Sequence, residues 1–251
     1  MNRKVFVLVL PVLLLNACSK HDPDPYEPPP PPASGIELRV TPLWNGALFD
    51  KNTIYHNVMD YRVQVQLLKL YLGDLHLLNG ANEFHLSDAE LLWLTDGAQS
   101  IQLNASPGSY TGLHFGIGLT PGVNASDPVQ FAADNPLSAS NGMYWTWASQ
   151  YRFVVFDGRF DTLGTSVAPL PQTFSIHTGM DSCYRELDLE ALPINVATGA
   201  YTVVDITFDL AKFFYTANDT IDLRVDNQGH VGDIEVELRL SDCIQASVAA
   251  P

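Results

Sequence analysis

From Tyr61 to Leu67 the chain alternates without a break, with Tyr61, Val63, Val65 and Leu67 on one side and Arg62, Gln64 and Gln66 on the other. Successive side chains of an extended strand point to opposite faces, so this is the pattern of a half-buried β-strand and does not fit a helix. The phase slips by one residue at Leu67-Leu68 and resumes with Leu70 and Leu72, which is what a β-bulge requires. The same period returns at Leu113, Phe115, Ile117 and Leu119, at Val204, Ile206, Phe208 and Leu210, and at Ile234, Val236, Leu238 and Leu240. Shorter candidates lie at 36–40, 75–78, 84–86, 91–94, 99–103, 173–177 and 183–189. Asn79-Gly80 predicts a tight turn, and Asp96-Gly97, Asp157-Gly158 and the segment 226–229 predict further turns. Residues 210–215 predict a short helix, and no long amphipathic helix is expected. The sum is an all-β fold, an antiparallel β-sandwich or barrel with long loops, the longest at 121–142.

The N-terminal residues stand apart from that fold. Arg3 and Lys4 precede an apolar run from Val5 to Leu15 that is too short to span a bilayer, followed by Asn16-Ala17-Cys18. A basic start, a short apolar run and small residues before a cysteine describe a lipoprotein signal at 1–17, with Cys18 as the lipidated first residue. Residues 18–34 contain the run Pro28 to Pro32 with Asp22, Asp24 and Glu27, too little apolar surface to fold, and read as an extended tether. One β-rich domain is expected over 35–251. The anchor visible in the sequence is therefore lipid plus tether, on a protein of the bacterial cell envelope facing the periplasm or the cell surface.

Charge and cysteine count narrow the function. The chain carries 13 basic and 28 acidic residues, a formal charge of −15. That excludes a nucleic-acid binder, which needs a basic face to replace counterions. With Cys18 spent on lipid, Cys183 and Cys243 remain, and outside the cytosol they are expected to pair as a disulfide. Two cysteines so far apart match no zinc-ligand spacing. There is no Gly-rich phosphate loop, no GxSxG elbow and no pair of histidines spaced for zinc on one helix, so the sequence gives no reason to expect an enzyme.

The densest stretch is Asn141 to Phe160, with two of the four tryptophans and much of the aromatic content. If residues 145–155 are one extended strand, Trp145, Trp147, Tyr151, Phe153 and Val155 share a face, either as hydrophobic core or as a binding surface. On strand 110–119 the face opposite the apolar one carries Gly112, His114, Gly116 and Gly118, as if something bulky lay against it. His56, His76, His85, His114, His177 and His230 are scattered singly. His177 stands out because it alternates with Phe174 and Ile176 and follows the aromatic stretch. Imidazole beside aromatic groups suits copper better than magnesium or calcium.

The order of these signatures resembles the MbnP-like family, named for the methanobactin-cassette periplasmic protein. Tyr61-Arg62-Val63 through Leu72, Gly108-Ser109-Tyr110 through Gly118, Asn135-Pro136-Leu137, Gly142-Met143-Tyr144-Trp145-Thr146-Trp147 with Tyr151-Arg152-Phe153, and Phe174-Ser175-Ile176-His177-Thr178-Gly179 are similar to its successive motifs. The resemblance implies a β-rich extracytoplasmic protein, some of whose relatives bind copper through histidines and a tryptophan oxidised to kynurenine, the oxidation being made by a diheme peroxidase-like partner. It places a metal ligand at His177 and the oxidised tryptophan at Trp145 or Trp147. The family's early-strand histidine has no counterpart between Val40 and Gly46, which leaves His56, His76 or His114 as substitutes. The alternative is a cell-envelope interaction module of the same fold whose metal site has degenerated.

Overall fold

Among the described residues, which in this computed structural model are 33–146, 150–165, 167–230 and 234–251, nine strands of five residues or more carry the fold. In chain order they are β1 (Gly35–Trp44), β2 (Arg62–Asn79), β3 (Asn82–Leu92), β4 (Gln99–Asn104), β5 (Gly112–Ile117), β6 (Gln150–Asp161), β7 (Gln172–Gly179), β8 (Arg185–Leu189) and β9 (Tyr201–Asp209). One sheet holds β1 between β4 and β9. The other runs β8–β5–β2–β6–β7, with β3 also on β2. The all-β expectation holds, with one refinement: β1 and β9 are parallel, so the sheets are mixed. The lipidation residue expected at Cys18 lies outside the described residues.

Strand β2 organises the larger sheet because its alternation is the longest. Its residues 62–70 pair antiparallel with β6, and 72–78 then pair with β5. Leu70 pairs with both Val154 and Leu92, so β3 must run along the opposite edge. The turn expected at Asn79-Gly80 joins β2 to β3, with Asn79 opposite Asn82 and Gly80 at φ +61°. The bulge expected at Leu67-Leu68 lies one residue earlier: Asp157 faces Leu67 while Gly158 faces Val65, leaving Gln66 as the extra residue, and Leu68 rather than Leu67 continues the buried face.

That bulge overturns the turn expected at Asp157-Gly158, because both residues sit inside β6. The glycine is needed for close approach. A Cβ there would lie within 2.5 Å of the Phe174 ring and closer still to the Gln64 carbonyl oxygen. Strand β5 shows the same device, since the Tyr184 ring lies where a Cβ of Gly116 would be. The core beneath both sheets includes the fully buried Phe156, Phe213 and Phe214, with the Phe156 ring centre 5.0 Å from Phe174 and 5.3 Å from Phe213. The short helix expected after Leu210 is a 3₁₀ turn at Leu210–Phe214, capped by Asp209.

Three expectations are corrected. Residues 234–240 are the start of a helix, Ile234–Ser247. Seven residues alternate by coincidence, but over the full length Val236, Leu240, Cys243, Ile244 and Ser247 are buried at helical spacing of three and four. The segment 226–229 is no hairpin: Gln228–Gly229 adds to β7 as a short parallel strand. Cys183 and Cys243 are free, buried thiols rather than a disulfide. Cys183 Sγ donates to Glu237 Oε2 at 3.9 Å, with Ser241 on the same side. Cys243 lies two residues past Ser241, about 200° round the helix. Burial pushes both thiols up, Cys243 to about 12.

Candidate metal centre

Tyr144–Thr146 and β6 are two antiparallel strands rather than one. The short strand Tyr144–Thr146 folds back on β6, with Thr146 opposite Gln150 and Tyr144 opposite Tyr151, and Gln150 takes φ +56° to make the reversal. The shared face expected for Trp145 with Tyr151, Phe153 and Val155 is therefore broken. Tyr151 and Phe153 are fully buried core, whereas Trp145 is half-buried at the sheet rim. Trp147 lies outside the described residues.

What the fold sets beside Trp145 is a pair of histidines. His177 is on β7, two residues beyond Ser175 and so on the same face. His230 follows Gln228-Gly229, whose parallel pairing with Ser175 and Ile176 carries the next residue alongside His177. The two imidazole centres are 4.9 Å apart, and the Trp145 ring centre is 6.0 Å from His177 and 5.6 Å from His230. The Arg152 guanidinium lies 4.9 Å from the centre of the Trp145 ring, a cation–π contact.

Polar contacts fix one edge of this group. His177 Nε2 is 2.8 Å from Asp157 Oδ1 and 3.2 Å from Ser175 Oγ, and Ser175 Oγ donates to Asp157 Oδ1 at 2.7 Å. Burial raises the Asp157 carboxyl, but the hydrogen bonds from His177 and Ser175 outweigh it and hold the group below the usual carboxylate value. Asp157 is then an anion, and it selects the Nε2–H form of His177. The other nitrogen of that ring, Nδ1, is buried without a hydrogen-bond partner among the described residues, and so is His230 Nδ1.

Ser175, His177 and Asp157 are not arranged as a nucleophile triad. A triad needs the hydroxyl on one ring nitrogen and the carboxylate on the other. Here both meet Nε2, and Nδ1 is left over. An imidazole tied through one nitrogen to a carboxylate, with its other nitrogen bare, is instead the usual state of a metal-ligating histidine. Among the described residues no group of three or more His, Cys, Asp or Glu is set to hold a metal, so the two imidazoles would need a donor of another type.

Of the residues expected from the sequence, His177 and Trp145 are brought together. His56, His76 and His114 make no ring contact with Trp145, His177 or His230 among the described residues; their imidazoles meet Asp60, Asp74 and Asp188 elsewhere in the fold. Sequence reasoning missed His230 as a partner of His177, and it took Asp157 for a turn residue. The Ser175–His177 spacing was the one local signal available, since residues two apart on a strand share a face.

Burial first, and then His177, hold the His230 imidazole below its ordinary value; Asp157 pulls the other way and Arg152 adds to the lowering. The unfolded chain takes up a proton at His230 near pH 6.5. The folded chain resists it, so stability is full above about pH 6.5 and is lost as pH falls toward the depressed folded value. Asp157 acts in the same direction lower down, its contribution being full above about pH 4. The denaturant midpoint of metal-free protein should therefore fall between pH 7 and pH 5. His230→Gln should remove part of that fall. An identical slope in both proteins would show that His230 does not titrate as the geometry requires.

Comparison with known proteins places this group in context. A family model described as MbnP matches residues 33–233. Among solved structures, MbnP from Methylosinus trichosporium is similar, with a TM-score of 0.51 and 16% sequence identity over 74% of this chain and 78% of that one. At that identity the likeness is one of fold. No curated protein matches the chain.

Proposed function

The chain belongs to the MbnP family, and on that premise we propose that it is a lipid-anchored extracytoplasmic binding protein that takes copper at His177 and His230. The observation that carries this reading is the pair of buried, unpartnered Nδ1 atoms on adjacent imidazoles, one of them backed by Asp157. Neutral imidazole suits copper, and the carboxylate behind it makes His177 a better donor.

The third donor is the modified Trp145. An indole N–H can only donate a hydrogen bond, so an intact tryptophan adds nothing to coordination. Its oxidation product kynurenine carries an aryl amine with a free lone pair, and that donor is neither His, Cys, Asp nor Glu. A partner of the diheme peroxidase-like class, consuming two peroxides, opens the indole ring to N-formylkynurenine, and water then releases the extra carbon as formate. Bound copper supplies a redox-active cation. The chain's own residues do the rest: Asp157 and Ser175 orient His177, and β7 with Gln228–Gly229 holds His230 at its side. Arg152 lies over the Trp145 ring. We assign no catalytic role to the Ser175–His177–Asp157 group, whose connectivity is not that of a nucleophile triad.

The test is metal content and intact mass of the protein purified from its native envelope. Stoichiometric copper is expected, with a gain of about 4 Da in the Trp145 peptide, one oxygen gained for one carbon lost. A metal-free protein of unmodified mass that also refuses added copper would overturn the reading and leave an interaction module of the same fold.

A further inference from the structure

A second histidine group lies on the other half of β2. His85 on β3 and His114 on β5 are both register partners of His76 on β2, and Asp188 on β8 is the register partner of His114. Four neighbouring strands thus place His85, His76, His114 and Asp188 in one row. The His76 ring centre is 5.2 Å from His85 and 5.8 Å from His114. Two imidazoles bound to one tetrahedral ion at about 2.0–2.1 Å per Zn–N bond have ring centres roughly 5 Å apart. The spacing of His76 to each neighbour is therefore that of two ligands of one ion, with His85 and His114 flanking it from the strands on either side.

Each ring is also backed by a carboxylate. His76 Nε2 meets Asp74 Oδ1 at 2.8 Å, His85 Nε2 meets Asp88 Oδ1 at 2.9 Å, and His114 Nδ1 meets Asp188 Oδ1 at 2.6 Å. The Asp74 contact comes from an irregularity in β2, where Asp74 takes φ +51° and the register shifts between Gly73 and His76. One nitrogen per ring is left, and that of His76, Nδ1, is buried without a partner. The Tyr184 ring covers Gly116, two residues from His114 and on the same face of β5, and the Tyr184 hydroxyl is likewise buried without a partner. Buried polar atoms without a partner call for a ligand, an ion or a water, and here two of them lie along the histidine row.

We propose that His76, His85 and His114 form a second metal site, for a borderline divalent cation of the zinc type. His76 is the central ligand. Among the described residues no three His, Cys, Asp or Glu are set to hold one ion, so the three imidazoles close on a metal only when a ring moves. His85, with half its side chain exposed, is the ring free to turn and close the site. Three carboxylates behind three imidazoles raise ligand basicity and offset the charge of a divalent ion. This site is separate from the copper reading and does not rest on it.

The experiment is equilibrium dialysis of the full chain against zinc, repeated for His76→Gln, His85→Gln, His114→Gln and His177→Ala. Cobalt absorbance serves as a second readout of coordination. One zinc equivalent should persist in His177→Ala and vanish in His76→Gln. His85→Gln and His114→Gln should each weaken binding tenfold or more, and Asp88→Asn by about tenfold. Thermal melts of the metal-free variants check folding, and if His76→Gln fails to fold, the more exposed His85→Gln decides. A wild-type protein that binds no zinc would overturn the proposal. So would zinc retained by a folded His76→Gln, or zinc lost only in His177→Ala.

Discussion

Replacing His177 by alanine should abolish stoichiometric copper binding, with affinity falling a hundredfold or more, about 3 kcal/mol. The reason is that the variant removes one of two buried Nδ1 donors and strips Asp157 of its partner at once. His230→Ala should cost as much, because its Nδ1 is the other unpartnered donor. Asp157→Asn should cost less, about 10- to 100-fold, since it keeps an acceptor for His177 Nε2–H but loses the charge behind it. This graded series separates a metal site from a structural cluster. If the His177 imidazole only filled space and bonded Asp157, all three variants would change thermal stability and leave copper affinity where it was. Equal copper dissociation constants for wild type and His177→Ala would sink the assignment.

The largest expected effect on stability comes from Gly158→Ala. The added methyl has no room: the Gln64 carbonyl oxygen is backbone and cannot turn aside, and the Phe174 ring stands within 2.5 Å on the other side. Phe174 is itself packed against the buried Phe156. Strand β6 must therefore separate from β2 at the bulge, a loss of about 3 kcal/mol or more. Gly122→Ala is the control, because nothing lies within 4 Å of its Cβ position and it should be nearly neutral. Chemical denaturation of both variants checks this. Matching midpoints would mean that the bulge accommodates a side chain. Because Asp157 precedes Gly158, the folded fraction of Gly158→Ala should also bind copper more weakly than wild type.

How far the sequence could be read depends on where each signal sits. The β2 alternation and its slip at Leu67-Leu68 were legible because both are local: the period and its interruption lie within twelve residues. The other side of the same bulge, Asp157-Gly158, was misread. Asp-Gly is a common turn pair, and the reason for this glycine is a carbonyl nearly a hundred residues away. Residues 234–240 failed for want of length, since alternation in a seven-residue window cannot tell a strand from the first turns of a helix. The glycines of 112–118 did signal close neighbours, but not which: the Leu189 carbonyl at Gly112, the Tyr184 ring at Gly116 and the Phe153 ring at Gly118. At the site, family resemblance reached His177 and Trp145. No local pattern could reach His230, which arrives through a two-residue parallel bridge. The histidine row was invisible for the same reason: three isolated histidines become one group only through strand pairing.

The parallel join of β1 and β9 has a consequence for the order of events in folding. Gly35 finds its partner at Tyr201, and β1 takes its other neighbour from residues 99–104. Local contacts cannot close this sheet, and such distant pairing slows the search. A chain that emerges from its N-terminus carries β1 with one edge unsatisfied until Asp209 has appeared. Through that interval the first strand of the domain is an open edge to which other chains can add.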